Sequence, residues 1–432
     1  MVSTPQSPTT QLPYDPALFV GREQEIALVA GIARQMSQGA KNQARAIVFH
    51  GERGVGKTWL SLHLHRTILP ELPGVTSLLI NLFPSREGEF SREDEWFAKT
   101  FPFVEKHHEK VTQEIVEWVA GRMQAQPSPE ASLSEIARWL AQTVEQQFKH
   151  RVLVLILDSV FEADWSLLEQ LETYLLAPLA ALPHVLIVMT GRGRLYPWAS
   201  PYLRVEASDR ALKPFTPEEV VEQLRRQAPD AEHRAEEIVR LGGGHPMSNI
   251  LLATSATQSE ALDTVVDALL SVIPIDDQRQ KARAYFEALC LLDGFREDEI
   301  PAMLAAYFDD PHYETFSTSE VRQVRDLLVK THLVRWEEGK FILDKSVQHI
   351  LENLLKMKQP ETWRRLHCRA YQLYREWADT YTRFSEYYTA RADRHASVLL
   401  GAGLNPEACG DTADARTADA IDVDTAPVGS SA

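Results

Sequence analysis

Apolar and polar positions along this chain fall into two regimes. In the first, short aliphatic runs alternate with helical periods. Ala46–His50 reads as a strand that runs into a glycine-rich loop, and Trp59–Ile68 reads as the helix behind it. Val75–Phe83 is a second strand candidate. Val152–Leu157 and Val185–Met189 are continuous aliphatic runs, as expected of strands buried on both faces of a parallel sheet. Helices are expected over Leu28–Met36, Ser132–Phe148 and Trp165–Leu176. Ser132 with Glu135 three residues on gives the second of these a capping-box start. Pro178 is expected to end the third, because proline biases the residue before it away from helical geometry. Residues 84–130 are polar and loop-rich with helical patches. The alternation predicts an α/β layered domain.

The second regime begins near residue 210, where the strand signal fades. Helices are expected over Pro217–Arg226, Ala231–Leu241, Pro246–Leu269, Tyr285–Leu292, Glu299–Tyr307 and Ser319–Lys330. Leu333–Trp336 and Lys340–Leu343 flank Glu337-Glu338-Gly339 and predict a hairpin. Three helices and a hairpin are the layout of a winged helix. Trp363, Leu366, Ala370, Leu373 and Trp377 recur at three- and four-residue spacing, a broad apolar helical face. From about Gly401 the chain is rich in Asp, Thr, Ala and Gly without apolar period, the pattern of a disordered acidic tail.

A length of 432 residues sets the expectation of more than one domain. The formal net charge of −16 makes nucleic acid a poor default partner, because an acidic surface repels phosphate backbones. Cys290, Cys368 and Cys409 are far apart and outside any CxxC or Cys/His cluster, so neither a disulfide framework nor a zinc site is expected. No signal peptide or bilayer-length apolar run is evident, and the expected location is cytoplasmic, away from membranes.

Gly51-Glu52-Arg53-Gly54-Val55-Gly56-Lys57-Thr58 fits the phosphate-binding pattern GxxxxGK[ST] in full, between a strand and a helix. Glycines let backbone N–H groups turn inward, and the helix N-terminus adds partial positive charge. Lys57 is expected to reach the β- and γ-phosphates and Thr58 to ligate Mg²⁺. Asp158, at the end of the aliphatic run 152–157, is the expected second metal-site residue; it also suits a helix N-cap. Ser159 follows it where many such ATPases carry an acid. Glu162 is therefore the candidate that orients the attacking water, with Asp164 the weaker alternative. Arg192, just after the strand 185–189, is the candidate sensor of the γ-phosphate, because a guanidinium fork matches phosphate oxygens.

These residues together resemble the STAND class of signal-transduction ATPases, AP-ATPase and NACHT-like relatives of the AAA proteins. Phe19-Val20-Gly21-Arg22-Glu23 is similar to that family's opening motif, which lies against adenine and ribose. Thr190-Gly191-Arg192 is similar to its sensor-one motif. Gly244-His245-Pro246 is similar to its GxP motif, in which proline packs on the adenine from a helical lid. Asp158-Ser159-Val160-Phe161-Glu162 resembles the NACHT form of the metal-site strand, with the second acid displaced. The resemblance covers about residues 19–350. It departs where a winged-helix histidine would contact the ADP β-phosphate: Ile342-Leu343-Asp344 stands there, and His349 reads as a residue that caps or packs a helix. No repeat array follows.

The expected fold is thus a P-loop NTPase α/β core, a parallel sheet with helices on both faces, followed by a helical lid and a winged helix. Expected boundaries are a leader at 1–18, the core at 19–210, the lid at 211–272, the winged helix at 273–350, C-terminal helices at 351–400 and the tail at 401–432. The expected ligands are ATP or ADP with Mg²⁺. Val20, Gly21, Arg22, Gly51, Gly54, Val55, Gly56, Lys57, Thr58, Trp59 and Pro246 would hold the nucleotide, Thr58 and Asp158 the metal, and Lys57, Glu162 and Arg192 would serve hydrolysis. The resemblance implies a slow, regulatory ATPase switch that self-associates in the ATP state or acts through a separate effector or sensor protein. Two alternatives stand beside it. One is a nucleotide-gated DNA-binding regulator using Arg322, Arg325 and Lys330, although Glu337 and Glu338 would face phosphates. The other is a non-hydrolysing scaffold with nucleotide locked in place.

Overall fold

A computed structural model describes residues 14–40, 45–83, 92–98, 108–125, 128, 130–192, 195–204, 209–255, 257–270, 273, 275–331 and 333–410. Six parallel strands form one sheet in the order β3-β2-β4-β5-β1-β6. They are β1 (Ala46–His50), β2 (Val75–Asn81), β3 (Glu95–Phe97), β4 (Val152–Asp158), β5 (Val185–Gly191) and β6 (Asp209–Ala211). Every residue of β4 and β5 is buried, because both faces of the sheet are covered.

The strand alternation splits the core in two. Ile47, Phe49, Val154, Ile156 and Val188 point to the face covered by α1 (Glu23–Ser37) and α2 (Lys57–His63). Val48, Leu153, Leu155, Leu157 and Ile187 point to the face covered by α3 (His108–Arg122), α4 (Leu133–Gln147), α5 (Trp165–Leu171) and α6 (Ala177–Ala180). The Ser132–Glu135 capping box starts α4 as the sequence indicates.

A third core fills the helical C-terminal region. It comprises α7 (Pro217–Gln227), α8 (Ala235–Gly242), α9 (Pro246–Thr254), α10 (Gln258–Leu270), α11 (Asp276–Leu289), α12 (Ile300–Phe308) and α13 (Thr318–Lys330). The antiparallel hairpin β7 (Val334–Glu337) and β8 (Lys340–Leu343) follows, then α14 (Lys345–Lys358), α15 (Pro360–Thr380) and α16 (Ser385–Gly401). Trp363, Leu366, Ala370 and Leu373 of α15 are buried, and Trp377 is partly buried against the same core. Among the described residues no helix is long and apolar enough to cross a membrane.

The structure corrects four expectations. Pro178 does not end its helix. A π turn at Glu172–Leu176 shifts the hydrogen-bond register, and Pro178 then falls in the first turn of α6, where its missing N–H costs nothing. The single helix expected over 246–269 is two. Thr254 and Ser255 bond back to the carbonyls of Ile250 and Leu251, while Thr257 accepts from the Glu260 N–H to open α10. Cys368 and Cys409 form a disulfide, although no framework was expected. The turn Pro406–Gly410 folds back on α15, a contact that a separation of 41 residues hides. Residues 402–410 accordingly belong to this packing, with Gln372 Nε2 donating to the Cys409 carbonyl at 2.6 Å. The remainder of the expected tail, 411–432, lies outside the described residues.

Candidate functional site

The C-terminal edges of β1, β5 and β4 lie side by side, with His50 opposite Gly191 and Leu157 opposite Met189. Three segments of the sequence therefore converge at one edge of the sheet. The first is the loop Gly51–Thr58 between β1 and α2. Gly54 and Gly56 have φ of 81° and 99°, which glycine alone adopts without strain. The space beside Gly56 is open, so a ligand atom can approach the backbone there. Lys57 is buried, and its Nζ donates to the carbonyls of Gly51 and Glu52, each at 2.8 Å. An ammonium group has three N–H bonds. Two fasten the loop, which leaves a third N–H for another acceptor. Burial pulls the Lys57 pKa down to about 8, against the opposing pull of Glu162. A polyanion would relieve that cost.

The second segment is the end of β4. Thr58 Oγ1 donates to Asp158 Oδ2 at 2.7 Å. Thr190, on the neighbouring β5, bonds to Asp158 Oδ1 through its hydroxyl, and Ser61 Oγ lies 3.4 Å from the same oxygen. Burial raises the Asp158 pKa, and the hydroxyl bonds lower it. A hydroxyl and a carboxylate in contact, all oxygen, make a donor pair suited to Mg²⁺, which keeps several waters. Thr58 and Asp158 would hold that ion.

Glu162 and Arg192 meet here in a way the sequence does not show. Glu162 sits in a short 3-10 turn after Ser159, and Arg192 follows β5. Arg192 Nε donates to Glu162 Oε1 at 2.8 Å, and the Arg192 backbone N–H donates to Oε2 at 3.0 Å. Both oxygens of the expected water-orienting acid are thus engaged by the expected phosphate sensor. Gly191 permits this closeness. A Cβ there would lie 2.6 Å from the Phe161 ring and 2.7 Å from its backbone nitrogen. Arg192 Nη1 is buried without a partner, an N–H with no acceptor beside the phosphate loop. Arg53 adds a third cation, held through Nη1 to the Leu269 carbonyl at 2.8 Å, its pKa drawn down to about 9 by burial and then by Arg192.

The third segment is Phe19–Arg22. Gly21 and Arg22 both have left-handed backbone, φ 69° and 68°. A Cβ at Gly21 would lie 2.6 Å from Glu219 Oε1. Arg22 Nη2 donates to the Val55 carbonyl of the phosphate loop at 2.7 Å, its guanidinium lies 5.1 Å from the Phe215 ring centre, and its Nε is buried without a partner. Phe19 stacks on His63 at 3.9 Å. Arg226 and Gln227 of α7 donate to the carbonyls of Phe19 and Leu18 at 2.6 and 2.7 Å. Val20 of this segment is buried, and Trp59 is partly buried against the adjoining core.

The helical region closes on the loop from above. Gly244, at φ 75°, brings its backbone so near Phe215 that a Cβ would lie 2.2 Å from that residue's carbonyl oxygen. His245 is fully buried. Its Nε2 lies 2.5 Å from the Arg53 carbonyl, so Nε2 carries the hydrogen, and Nδ1 accepts from Ser248 Oγ at 2.6 Å. Burial lowers the His245 pKa and keeps it neutral in this role. Met247 N–H donates to the Gly54 carbonyl at 3.3 Å. Pro246 is buried, and its carbonyl accepts from Gln223 Nε2 at 2.9 Å. His245 and Met247, on either side of Pro246, both touch the phosphate loop. Glu52 accepts from the Lys345 and Ser346 N–H groups of α14 at 2.8 and 3.0 Å. Neither His245 nor Glu52 was singled out in the sequence. His349 packs as expected, its Nε2 2.8 Å from the Arg240 carbonyl.

Residues 40–195 match the family model of the AAA domain. No curated protein matches the chain. Among solved structures, the chain is similar to a Walker-type ATPase of Pyrococcus abyssi at 17% identity, covering 77% of this chain and 96% of that one, with a TM-score of 0.44. It is similar to a signal-transduction ATPase with numerous domains and a tetratricopeptide repeat sensor from Pyrococcus horikoshii at 15% identity, covering 89% of this chain and 54% of that one, with a TM-score of 0.33. It is also similar to Cdc6p from Pyrobaculum aerophilum at 12% identity, covering 80% and 98% of the two chains, with a TM-score of 0.41. The matched segment contains the phosphate loop, Asp158 and Arg192, and it is a P-loop ATPase core of AAA type.

Proposed function

We propose that this protein is an adenine-nucleotide switch in which a P-loop core, a helical lid and a winged helix change their mutual arrangement with the state of bound ATP or ADP. The supporting observation is the contact of two helical elements with the phosphate loop itself. His245 bonds to the Arg53 carbonyl, and α14 bonds to Glu52. Occupancy of the loop and arrangement of the helices are then linked, and nucleotide states with different affinity for two arrangements shift their populations.

In this reading the phosphates lie on the Gly51–Thr58 loop, with Lys57, Arg53 and Arg192 facing them. Val20, Gly21, Arg22, Trp59 and Pro246 surround the nucleoside. Bound Mg²⁺ would supply charge neutralisation of the phosphoryl oxygens. Glu162 aligns water only after it leaves Arg192, and Arg192 must turn to the γ-phosphate to release it. Hydrolysis that waits on this exchange is slow and regulatory. The output is self-association in the ATP state or engagement of a separate effector or sensor protein in the cytoplasm.

The same Glu162–Arg192 pair favours a second reading, a scaffold that binds nucleotide without hydrolysing it. For the DNA-binding alternative, Arg325 is already bound to Glu297 and to Asp326, so its charge is compensated in this arrangement. Phosphate release by the wild type, compared with Lys57→Ala, separates the first two readings. A switch gives a low rate that Lys57→Ala abolishes. Equal background rates with nucleotide retained overturn the hydrolytic step.

A further inference from the structure

Glu52 stands at a position of the phosphate loop where the motif demands no particular side chain. Here that side chain leaves the loop and spans 293 residues of sequence. Its Oε1 accepts from Lys345 N–H at 2.8 Å, and its Oε2 accepts from Ser346 N–H at 3.0 Å. These are first-turn donors of the 14-residue helix α14, which have no partner within the helix. A carboxylate placed there also meets the positive end of the helix dipole. The same residue's backbone carbonyl holds Lys57 Nζ at 2.8 Å. One residue thus ties the phosphate-binding lysine to the first turn of a helix in the C-terminal region. Asp344, the residue before α14, is buried beside it, with Arg335 Nη1 at 3.6 Å.

We propose that Glu52 is an autoinhibitory clasp, a carboxylate on the phosphate loop that holds α14 closed and that a nucleoside triphosphate on the same loop releases. This rests on the switch reading above and adds its regulation. The argument is one of charge. Lys57, Arg53 and Arg192 face the loop, and the carboxylates Glu52 and Asp344 sit among them. A triphosphate takes those cations for itself and adds negative charge next to Glu52. The clasp is the element that loses in that exchange, because α14 can turn its first N–H groups to water. A diphosphate brings less charge and disturbs the clasp less.

The test uses two variants on opposite sides of the contact. Lys345→Pro removes the N–H that meets Oε1. Proline is favoured in the first position of a helix, and Asp344 already has φ −52° and ψ 127°, the extended backbone required before proline. The helix therefore starts as before. Glu52→Gln removes the charge from the other side. The full chain, freed of co-purified nucleotide, is titrated with Mg²⁺ and a non-hydrolysable ATP analogue by calorimetry, and amide hydrogen exchange is followed at Ser346. Each single variant is expected to bind the analogue about three- to tenfold more tightly than wild type, the size of one removed hydrogen bond. The gain for ADP is smaller. The double variant is expected to gain no more than the better single, since both cut one contact. Ser346 is expected to exchange faster in Glu52→Gln than in wild type, and faster in wild type once the analogue is added.

Wild-type affinity in Lys345→Pro, or gains that add in the double variant, overturn the clasp while leaving nucleotide binding intact. Binding by the variants but not by wild type supports the clasp in its strongest form. Failure of every form to bind nucleotide overturns both the clasp and the switch.

Discussion

Replacing Arg192 by alanine tests the buried pair that joins the ends of two core strands. The side chains of Arg192 and Glu162 are 6% and 4% exposed. Removing one partner of such a pair leaves the other charge buried, and this costs about 3–5 kcal/mol. The Arg192 backbone N–H keeps its bond to Glu162 Oε2 in the alanine variant, so the lower end, about 3 kcal/mol, applies. For a unit of about 150–250 residues each kcal/mol lowers the midpoint by about 2–4 °C, which gives a fall of roughly 6–12 °C. The double variant Arg192→Ala with Glu162→Gln has no buried unpaired charge and should recover most of the loss. The assay is thermal and urea unfolding of the wild type, both single variants and the double variant, followed by fluorescence without nucleotide. A loss below about 1 kcal/mol in Arg192→Ala, or a double variant that loses the sum of the singles, refutes the reasoning.

Three further outcomes follow from the same geometry. Gly54→Ala places a Cβ 2.7 Å from His245 Cε1 and 2.9 Å from Met247 Cβ at a φ of 81°, so it should push the lid from the loop, lower stability by about 1 kcal/mol or more and abolish nucleotide binding in calorimetry. Asp344 is pushed up to about 7, first by burial and then by Glu52, with Arg335, Arg192 and Lys57 opposing. Its folded pKa exceeds the unfolded value near 3.9, so the native state holds the extra proton between those limits. Stability should fall as pH rises from about 4 to 7, and Asp344→Asn should flatten that slope in urea titrations. His367 and His395 meet at 2.9 Å between α15 and α16, and burial pulls them down to about 4 and about 3. Below pH 6.5 the unfolded chain takes up protons first, so the α15–α16 pair should loosen as pH drops, read as a change in Trp363 and Trp377 fluorescence that His367→Gln reduces.

The parts of the site legible in the sequence are those that one short segment encodes. The loop 51–58 and Asp158 announce themselves because strand, turn and charge are contiguous there. The continuous aliphatic runs of β4 and β5 likewise mark strands buried on both faces without tertiary information. Pairings across segments are not legible. Glu162 and Arg192 read as two independent candidates, and only the adjacency of β4 and β5 makes them partners. Glu52 carries no signal, because its donors are backbone N–H groups and any sequence at 345–346 other than proline supplies them. The glycine triplet 242–244 marks a turn, but the side chain aimed at the loop belongs to His245. The disulfide and the π turn before Pro178 depend on packing that no local period encodes.

The most direct test of the account is calorimetric titration of ADP and of a non-hydrolysable ATP analogue, with Mg²⁺, into wild type and Lys57→Ala stripped of co-purified ligand. The account predicts saturable binding by wild type at about one nucleotide per chain, since one loop of this kind is present, and loss of that binding in Lys57→Ala. No heat from wild type with either nucleotide would contradict it.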